Sequence, residues 1–457
     1  MTGRTMQTRM LNAAVWSAAM SVLVAGSALA GQATQKAVVP ATAPDAAPAS
    51  AAATVTLALP KTRALVDSYP ATGKAPGIVA AIGRGDLPTT YVSAGKLSFD
   101  AGSGAADPDT LWRVYSMTKP ITAMAAMMLI EQGKLKLDQP ISDFLPGFKK
   151  MTVLVNPDKD LTTRPATKPI TVRELMTHTA GLGYTIVTKG PLLKEYERLG
   201  ITPFTSDAKT EAQLRQARPK TLQQFADRVA TLPLIAEPGT KWSYSIGLDV
   251  LGAVIEKASG MPFDAYLQTH IFAPLKMTST YFTVPQADAK RLVTGYFLFG
   301  ANPVPVDPGA TSVYLSPPSF PYGGAGLVMS ARDYDRFLHM LQNGGELDGV
   351  RIMKARTVAL AMSNLLPAGV GYPGAVANTG GAAGADQGFG AGGSVYLVDK
   401  PGGPSKGTYG WGGAAGTIAW VDPVKKLRVN VMVNYLPGDK WPLRKDSTAT
   451  IYADLAN

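Results

Sequence analysis

The chain of 457 residues contains no cysteine and only three histidines. The first absence removes disulfides, thiolate metal sites and lipidation of an N-terminal cysteine. The second leaves His178, His270 and His339 widely spaced, with no His-Glu-x-x-His helix, so no metal site is expected. No glycine-rich loop carries the strand, helix and Lys-Ser/Thr context of a phosphate cradle, and no cofactor is expected either. The formal net charge of +11 comes from 44 Lys and Arg scattered among 33 Asp and Glu. Without a clustered basic stripe interleaved with aromatics, the pattern argues against nucleic-acid binding and reads as solubility plus weak attraction to anionic surfaces. No internal repeat is present, and beyond the first thirty residues no apolar run is long enough to span a bilayer.

What is present begins at the N-terminus. Arg4 and Arg9 precede the apolar stretch "MLNAAVWSAAMSVLVAG", which ends in "SALA". This is the pattern of a secretory signal, residues 1–30, cut after Ala30, and it places the mature chain in a periplasm or outside the cell. An uncleaved anchor is the alternative, but the short apolar run and small residues before Gly31 favour cleavage. Residues 31–55, rich in Ala, Pro and Thr, cannot build a core and read as a flexible tether. Residues 56–457 remain as the folded part, and with 46% apolar residues overall the chain can bury a sizeable core. No motif sets an oligomeric state.

Within that part, Gly77 to Ile82 and Thr90 to Gly95 read as paired strands about a turn near Gly85-Asp86. A helix opening at Ser116 is apolar at nearly every position from Ile121 to Ile130, which predicts burial on all sides, and Gly133 supplies a left-handed stop. A second helix carries Leu248, Leu251, Ile255 and Ala258 on one face and ends at Gly260. Near the C-terminus "GTIAWVDPVKKLRVNVMVNYLP" alternates like two antiparallel strands about Val421-Asp422-Pro423. Strands at both ends with helices between predict an α/β protein of the α+β type. Its mainly antiparallel sheet is built from both chain ends and flanked by helices, with a mostly helical region inserted roughly over 140–300. Residues 184–220 and 369–393 resist assignment; connections that long are expected to be lids or pocket walls.

Ser-x-x-Lys occurs three times, at Ser93/Lys96, Ser116/Lys119 and Ser206/Lys209. Ser93 falls in a predicted strand, where a three-residue offset sends the side chains to opposite faces. Ser206 lies in a polar segment with no rigid element behind it. Only Ser116 opens a buried helix, where residues three apart share a face and the Lys119 amine can reach the hydroxyl. A serine hydroxyl is a poor nucleophile until a neighbour takes its proton, and a lysine can do so when burial or nearby cations favour the free amine. Equally, the local sequence is compatible with a capping serine beside a solvated lysine. "GPSKG" at 403–407 matches G-x-S-x-G, yet it lies among Gly and Pro, leads into a strand, and follows all three histidines, so Ser405 is not expected to be an elbow nucleophile. His178 in "LMTHTAGL" is expected to be structural, bonding a turn before Gly181.

Four stretches in order, "RVYSMTK", "ELMTHTAGL", "AEPGTKWSYSIGLDVLGAVIEKASG" and "KGTYGWGGAAGT", resemble the serine beta-lactamase and penicillin-binding-protein superfamily. The similarity runs from about residue 60 to 450 and is greatest to the class C beta-lactamase-like branch that includes the family VIII carboxylesterases. The resemblance implies that Ser116 is the acylated serine, Lys119 its paired lysine and Tyr244 the general base or proton shuttle. It also implies that Trp411-Gly412-Gly413 replaces the Lys/His-Thr/Ser-Gly triplet and that the amide of Ala414, with that of Ser116, forms the oxyanion hole. A glycine pair at that point also suits close approach of a substrate.

Two departures stand out. Ile246 occupies the place of an asparagine that holds an acylamino side chain, and Trp411 the place of a cation that helps bind a substrate carboxylate. Losing a polar partner can cost several powers of ten in discrimination. The expectation is therefore a pocket for neutral, apolar acyl groups and an esterase of short-chain or aryl esters. A beta-lactamase, a D,D-carboxypeptidase or D-amino-acid peptidase, a transesterase and a non-catalytic binding protein are the alternatives.

Overall fold

The computed structural model describes residues 56–203, 207–374 and 386–456. The expected signal and tether, and Ser206, lie outside the described residues.

Both ends of the chain meet in one seven-stranded antiparallel sheet. Its strands are β1 (Gly77–Arg84), β2 (Thr90–Gly95), β3 (Gln387–Phe389), β4 (Ser394–Tyr396), β5 (Tyr409–Gly412), β6 (Ile418–Asp422) and β7 (Leu427–Met432). They lie in the order β3-β4-β5-β6-β7-β1-β2, so N-terminal β1 pairs directly with C-terminal β7, with Val79 opposite Met432. β1 is buried along both faces from Gly77 to Gly83. Its side chains still alternate: Ile78, Ala80 and Ile82 enter one core, Val79 and Ala81 the other. Burial on both faces explains the near-continuous apolar run, since neither face meets water.

The first core is closed by α1 (Pro60–Ala71) and α5 (Leu443–Asp454). The two helices are tied at their ends, because the Asp454 carboxylate accepts the Lys61 and Thr62 backbone N–H groups at 3.0 and 2.8 Å. Those donors have no partner inside α1, and the negative charge suits the positive end of its dipole. The second and larger core contains α2 (Thr118–Glu131), α3 (Gly247–Ser259) and α4 (Ala331–Gln342). Every residue of α2 from Thr118 to Leu129 is buried, as its apolar run predicts, and Gly133 takes a φ of 74° just beyond it. α3 ends at Gly260, also left-handed, where the sequence placed the stop.

The inserted region contains more than helices. Thr152–Leu154 and Thr163–Pro165 form a hairpin, and Gly295–Phe299 pairs with Asn302–Asp307. Within 184–220 lie two helices, Gly190–Arg198 and Ala208–Ala217. Each is short, and the first buries only Leu192 and Tyr196, too few apolar positions to declare a period. Among the described residues no helix is long and apolar enough to cross a membrane.

α4 is locked onto the sheet by a buried pair. Arg428 Nε of β7 donates to Asp335 Oδ1 of α4 at 3.0 Å, and its other nitrogens donate to Gly85 O and Thr89 Oγ1, both at 2.9 Å. Burial pushes the Asp335 carboxyl up, opposed by the Arg428 charge. Asp335→Ala would leave that guanidinium uncompensated in the core, and a loss of about 3 kcal/mol is expected in urea unfolding.

Candidate active site

Ser116 stands at a strained corner. Tyr115 has a φ of 42°, a region that bulky side chains rarely enter, and Tyr115–Met117 form one tight turn ahead of α2. The sequence reading put Ser116 on the helix itself; α2 begins two residues later, at Thr118, and no side chain caps it. The capping alternative is thereby removed. Turn and helix run on without a break, so the three-residue offset still brings the lysine amine to the serine.

Lys119 is wholly buried, and its Nζ donates to Ser116 Oγ at 3.2 Å and to Gly324 O at 2.6 Å. Tyr244 OH donates to Ser116 Oγ at 2.7 Å, and its ring centre lies 4.7 Å from Lys119 Nζ. Three groups separated by up to 128 residues in sequence thus meet at one hydroxyl. Nothing but tertiary packing brings the phenol there.

His178 holds the tyrosine segment. Its Nδ1 accepts the Ser245 N–H at 3.2 Å and lies 3.0 Å from Ser245 Oγ, while its carbonyl accepts the Ser243 N–H at 2.9 Å. Its ring packs 4.7 Å from the Tyr244 ring. The expected structural role is therefore right in kind but wrong in partner: the bonds run across to residues 243–245 rather than to a turn before Gly181. Burial, and then the charge of Lys119, hold this imidazole well below its usual value and hence neutral.

Above Ser116 opens a cleft of about 670 Å³, walled by Trp242, Tyr244, Tyr372, Tyr396, Trp411 and Trp420. Ile186 and Val187, from the unassigned 184–220 stretch, form part of its rim. Trp411, Gly412, Gly413 and Ala414 also line it, and the Ala414 N–H has no acceptor among the described residues. Gly412 closes strand β5 and Gly413 follows it, and each is packed closely against the protein on one side. A Cβ on Gly412 would come 2.9 Å from the Arg444 guanidinium carbon, and one on Gly413 2.2 Å from Thr417 Oγ1. Close packing thus requires glycine at both positions, which also stand on the cleft wall.

Ile246 requires a correction. It is wholly buried in the core beneath α3 and is absent from the cleft lining, so an apolar residue at that position does not face a substrate. The first turn of α3 draws it inward.

Sequence reasoning missed two residues. Arg444, on α5, lines the cleft and donates to the Gly413 carbonyl. It forms no ion pair among the described residues, so a cation stands on the wall that Trp411 was expected to leave neutral. Asp249, on α3, is wholly buried, and burial lifts its carboxyl from 3.8 to about 7 against the pull of Lys119. Neither lies in a spacing pattern with Ser116, although Asp249 is an acid inside an apolar helix period, an anomaly the sequence displays.

The other serines stand apart. Lys96 Nζ donates to Ala101 O, not to Ser93. Ser405 Oγ accepts from Lys425 Nζ at 2.9 Å, its N–H donates to Asp422 Oδ2 at 3.0 Å, and it is not among the residues that line the cleft. Among the described residues no cluster of His, Asp or Glu could hold a metal.

The family model described as "Beta-lactamase" matches residues 62–451. Esterase EstB of Burkholderia gladioli is 32% identical over 368 residues, covering 74% of this chain and 83% of that protein. Among solved structures, EstCE1, described as a hydrolase with promiscuous acyltransferase activity, superposes with a TM-score of 0.69 at 27% identity, over 86% of this chain and 98% of that one. Unliganded simvastatin synthase LovD of Aspergillus terreus, as its selenomethionyl derivative, gives 0.68 at 25% identity, over 86% and 97%.

His178→Ala would strip Ser245 of its acceptor and free the Tyr244 segment. Unfolding in urea should show a loss of about 1–3 kcal/mol, the penalty of an unpaired buried donor.

Proposed function

The chain belongs to the Beta-lactamase family, and on that premise we propose that it is a serine carboxylesterase of short-chain or aryl esters. The observation that carries this reading is the Ser116 hydroxyl held between a buried amine and a phenol at the floor of an aromatic cleft. The esterase named in one relative, and the hydrolase in one structural neighbour, support the same chemistry.

In the mechanism, Ser116 Oγ attacks the ester carbonyl carbon while its proton passes to the Lys119 amine, directly or through the Tyr244 phenol. The amides of Ala414 and Ser116 receive the developing oxyanion. Collapse breaks the ester C–O bond, and the departing alkoxide takes the proton back from the ammonium. Water then repeats the sequence on the acyl-enzyme: it gives a proton to the amine, adds to the carbonyl, and expels Ser116 Oγ, which recovers that proton as the acid leaves. An alcohol in place of water would make the protein a transesterase; the acyltransferase wording of EstCE1 and the name simvastatin synthase favour keeping that second reading.

The "WGG" stretch supports a place in the class C-like branch beside the family VIII esterases. Export to a periplasm or medium rests on the N-terminal pattern, and N-terminal sequencing of the secreted protein is expected to begin at Gly31.

Two measurements test the activity. Intact-mass analysis after a fluorophosphonate should show one adduct that disappears in Ser116→Ala, and persistent labelling would point to another serine. Tyr244→Phe should slow labelling by about 10²-fold or more. Assayed side by side, p-nitrophenyl butyrate should be turned over faster than nitrocefin, and the reverse order would make the protein a beta-lactamase.

A further inference from the structure

One buried acid has no part in the steps above. Asp249 Oδ1 accepts the Gly324 N–H at 2.8 Å, and the carbonyl of that same Gly324 accepts from Lys119 Nζ at 2.6 Å. Its Oδ2 is buried without a hydrogen-bond partner among the described residues. Position 324 is open only to glycine, because a Cβ would stand 2.5 Å from Oδ2. A neutral asparagine could accept the Gly324 N–H equally well, without a charge to desolvate. An ionisable oxygen with no bonding duty, one residue removed from the amine that accepts the serine proton, calls for a different reason.

We propose that Asp249 is a positioning residue that aims the Gly324 carbonyl at Lys119 and, through its own charge, sets how readily that amine gives up its proton. This rests on the esterase reading and deepens it. A carboxylate nearby favours the ammonium form, and a neutral carboxyl releases the amine. Acylation needs the free amine, whereas the departing alkoxide needs the ammonium, so the acid biases the balance between the two half-steps.

The titratable groups around the pair are Tyr244, ahead of α3, and Tyr184 and His178, from the chain that follows the Val172–Met176 helix. Burial, reinforced by Asp249, lifts the Tyr184 phenol well above its usual value, and burial keeps His178 neutral. The Asp249 carboxyl, lifted to about 7, is the group poised to change charge at working pH.

The test is the rate of fluorophosphonate labelling of Ser116, read by intact mass across a pH series, for the wild type and Asp249→Asn. The amide keeps the acceptor for Gly324 and deletes the charge. Labelling should be up to roughly tenfold faster above pH 7, where the wild-type carboxyl is charged, and the two profiles should converge below it. Superimposable profiles would overturn the proposal and leave Asp249 a core residue only. Should the variant not fold, 13C NMR of the Asp249 carboxyl in the wild type and in Lys119→Met decides: a titration that moves up when the amine is removed supports the coupling, and an indifferent one overturns it. Labelling requires no ester turnover. A protein that labels with the expected pH dependence but leaves p-nitrophenyl butyrate intact would therefore refute the esterase reading alone.

Discussion

The structure depends on a lysine amine kept dry. Removing such a group from water costs several kcal/mol unless its hydration is replaced. For Lys119 the replacements are the Gly324 carbonyl at 2.6 Å, the Ser116 hydroxyl at 3.2 Å, and the faces of Tyr244 and Tyr184 at 4.7 and 5.4 Å. Each comes from a different stretch of chain. The amine is therefore stable in place only when α2, the Tyr244 segment and the Gly324 loop are all assembled, which makes the site a product of the whole larger core.

Much of the surrounding architecture can be understood as support for that assembly. α2 is buried along its length within the larger core, with α3 packed against it. His178 fixes residues 243–245 by three polar contacts, and so fixes the direction of the Tyr244 phenol. The strain at Tyr115 turns the chain so that Ser116 projects into the cleft at the start of α2. Positions that cost free energy locally, namely a left-handed tyrosine, a buried amine and a buried acid, cluster within one site and are sustained by apolar packing elsewhere.

The cleft itself combines an apolar interior with retained charge. Its aromatic walls suit acyl chains and aryl groups, as expected when Trp411 stands where a cation is usual in the resembling family. Arg444 nevertheless supplies a cation from α5, pressed against Gly412 and bonded to the Gly413 carbonyl. The charge lost from one strand is present on the neighbouring helix, which no reading of the 411–413 triplet alone could reveal.

Local signals carried far. The paired strands, the buried α2 with its glycine stop, the Gly260 terminus of α3 and the singling out of Ser116 over Ser93 all follow from periodicity, propensity and side-chain offset, which are properties of neighbouring residues. Tyr244 was reached through resemblance, since nothing in spacing links it to Ser116. The sequence misled at Ile246, where the direction of a side chain depends on how a helix is rotated against its neighbours. It was silent on Arg444 and Asp249 because their importance lies in what stands opposite them. By itself, then, the chain determined its elements and singled out Ser116; which groups face that serine was decided only when segments hundreds of residues apart were packed together, because charge and hydrogen bonding act through space rather than along the sequence.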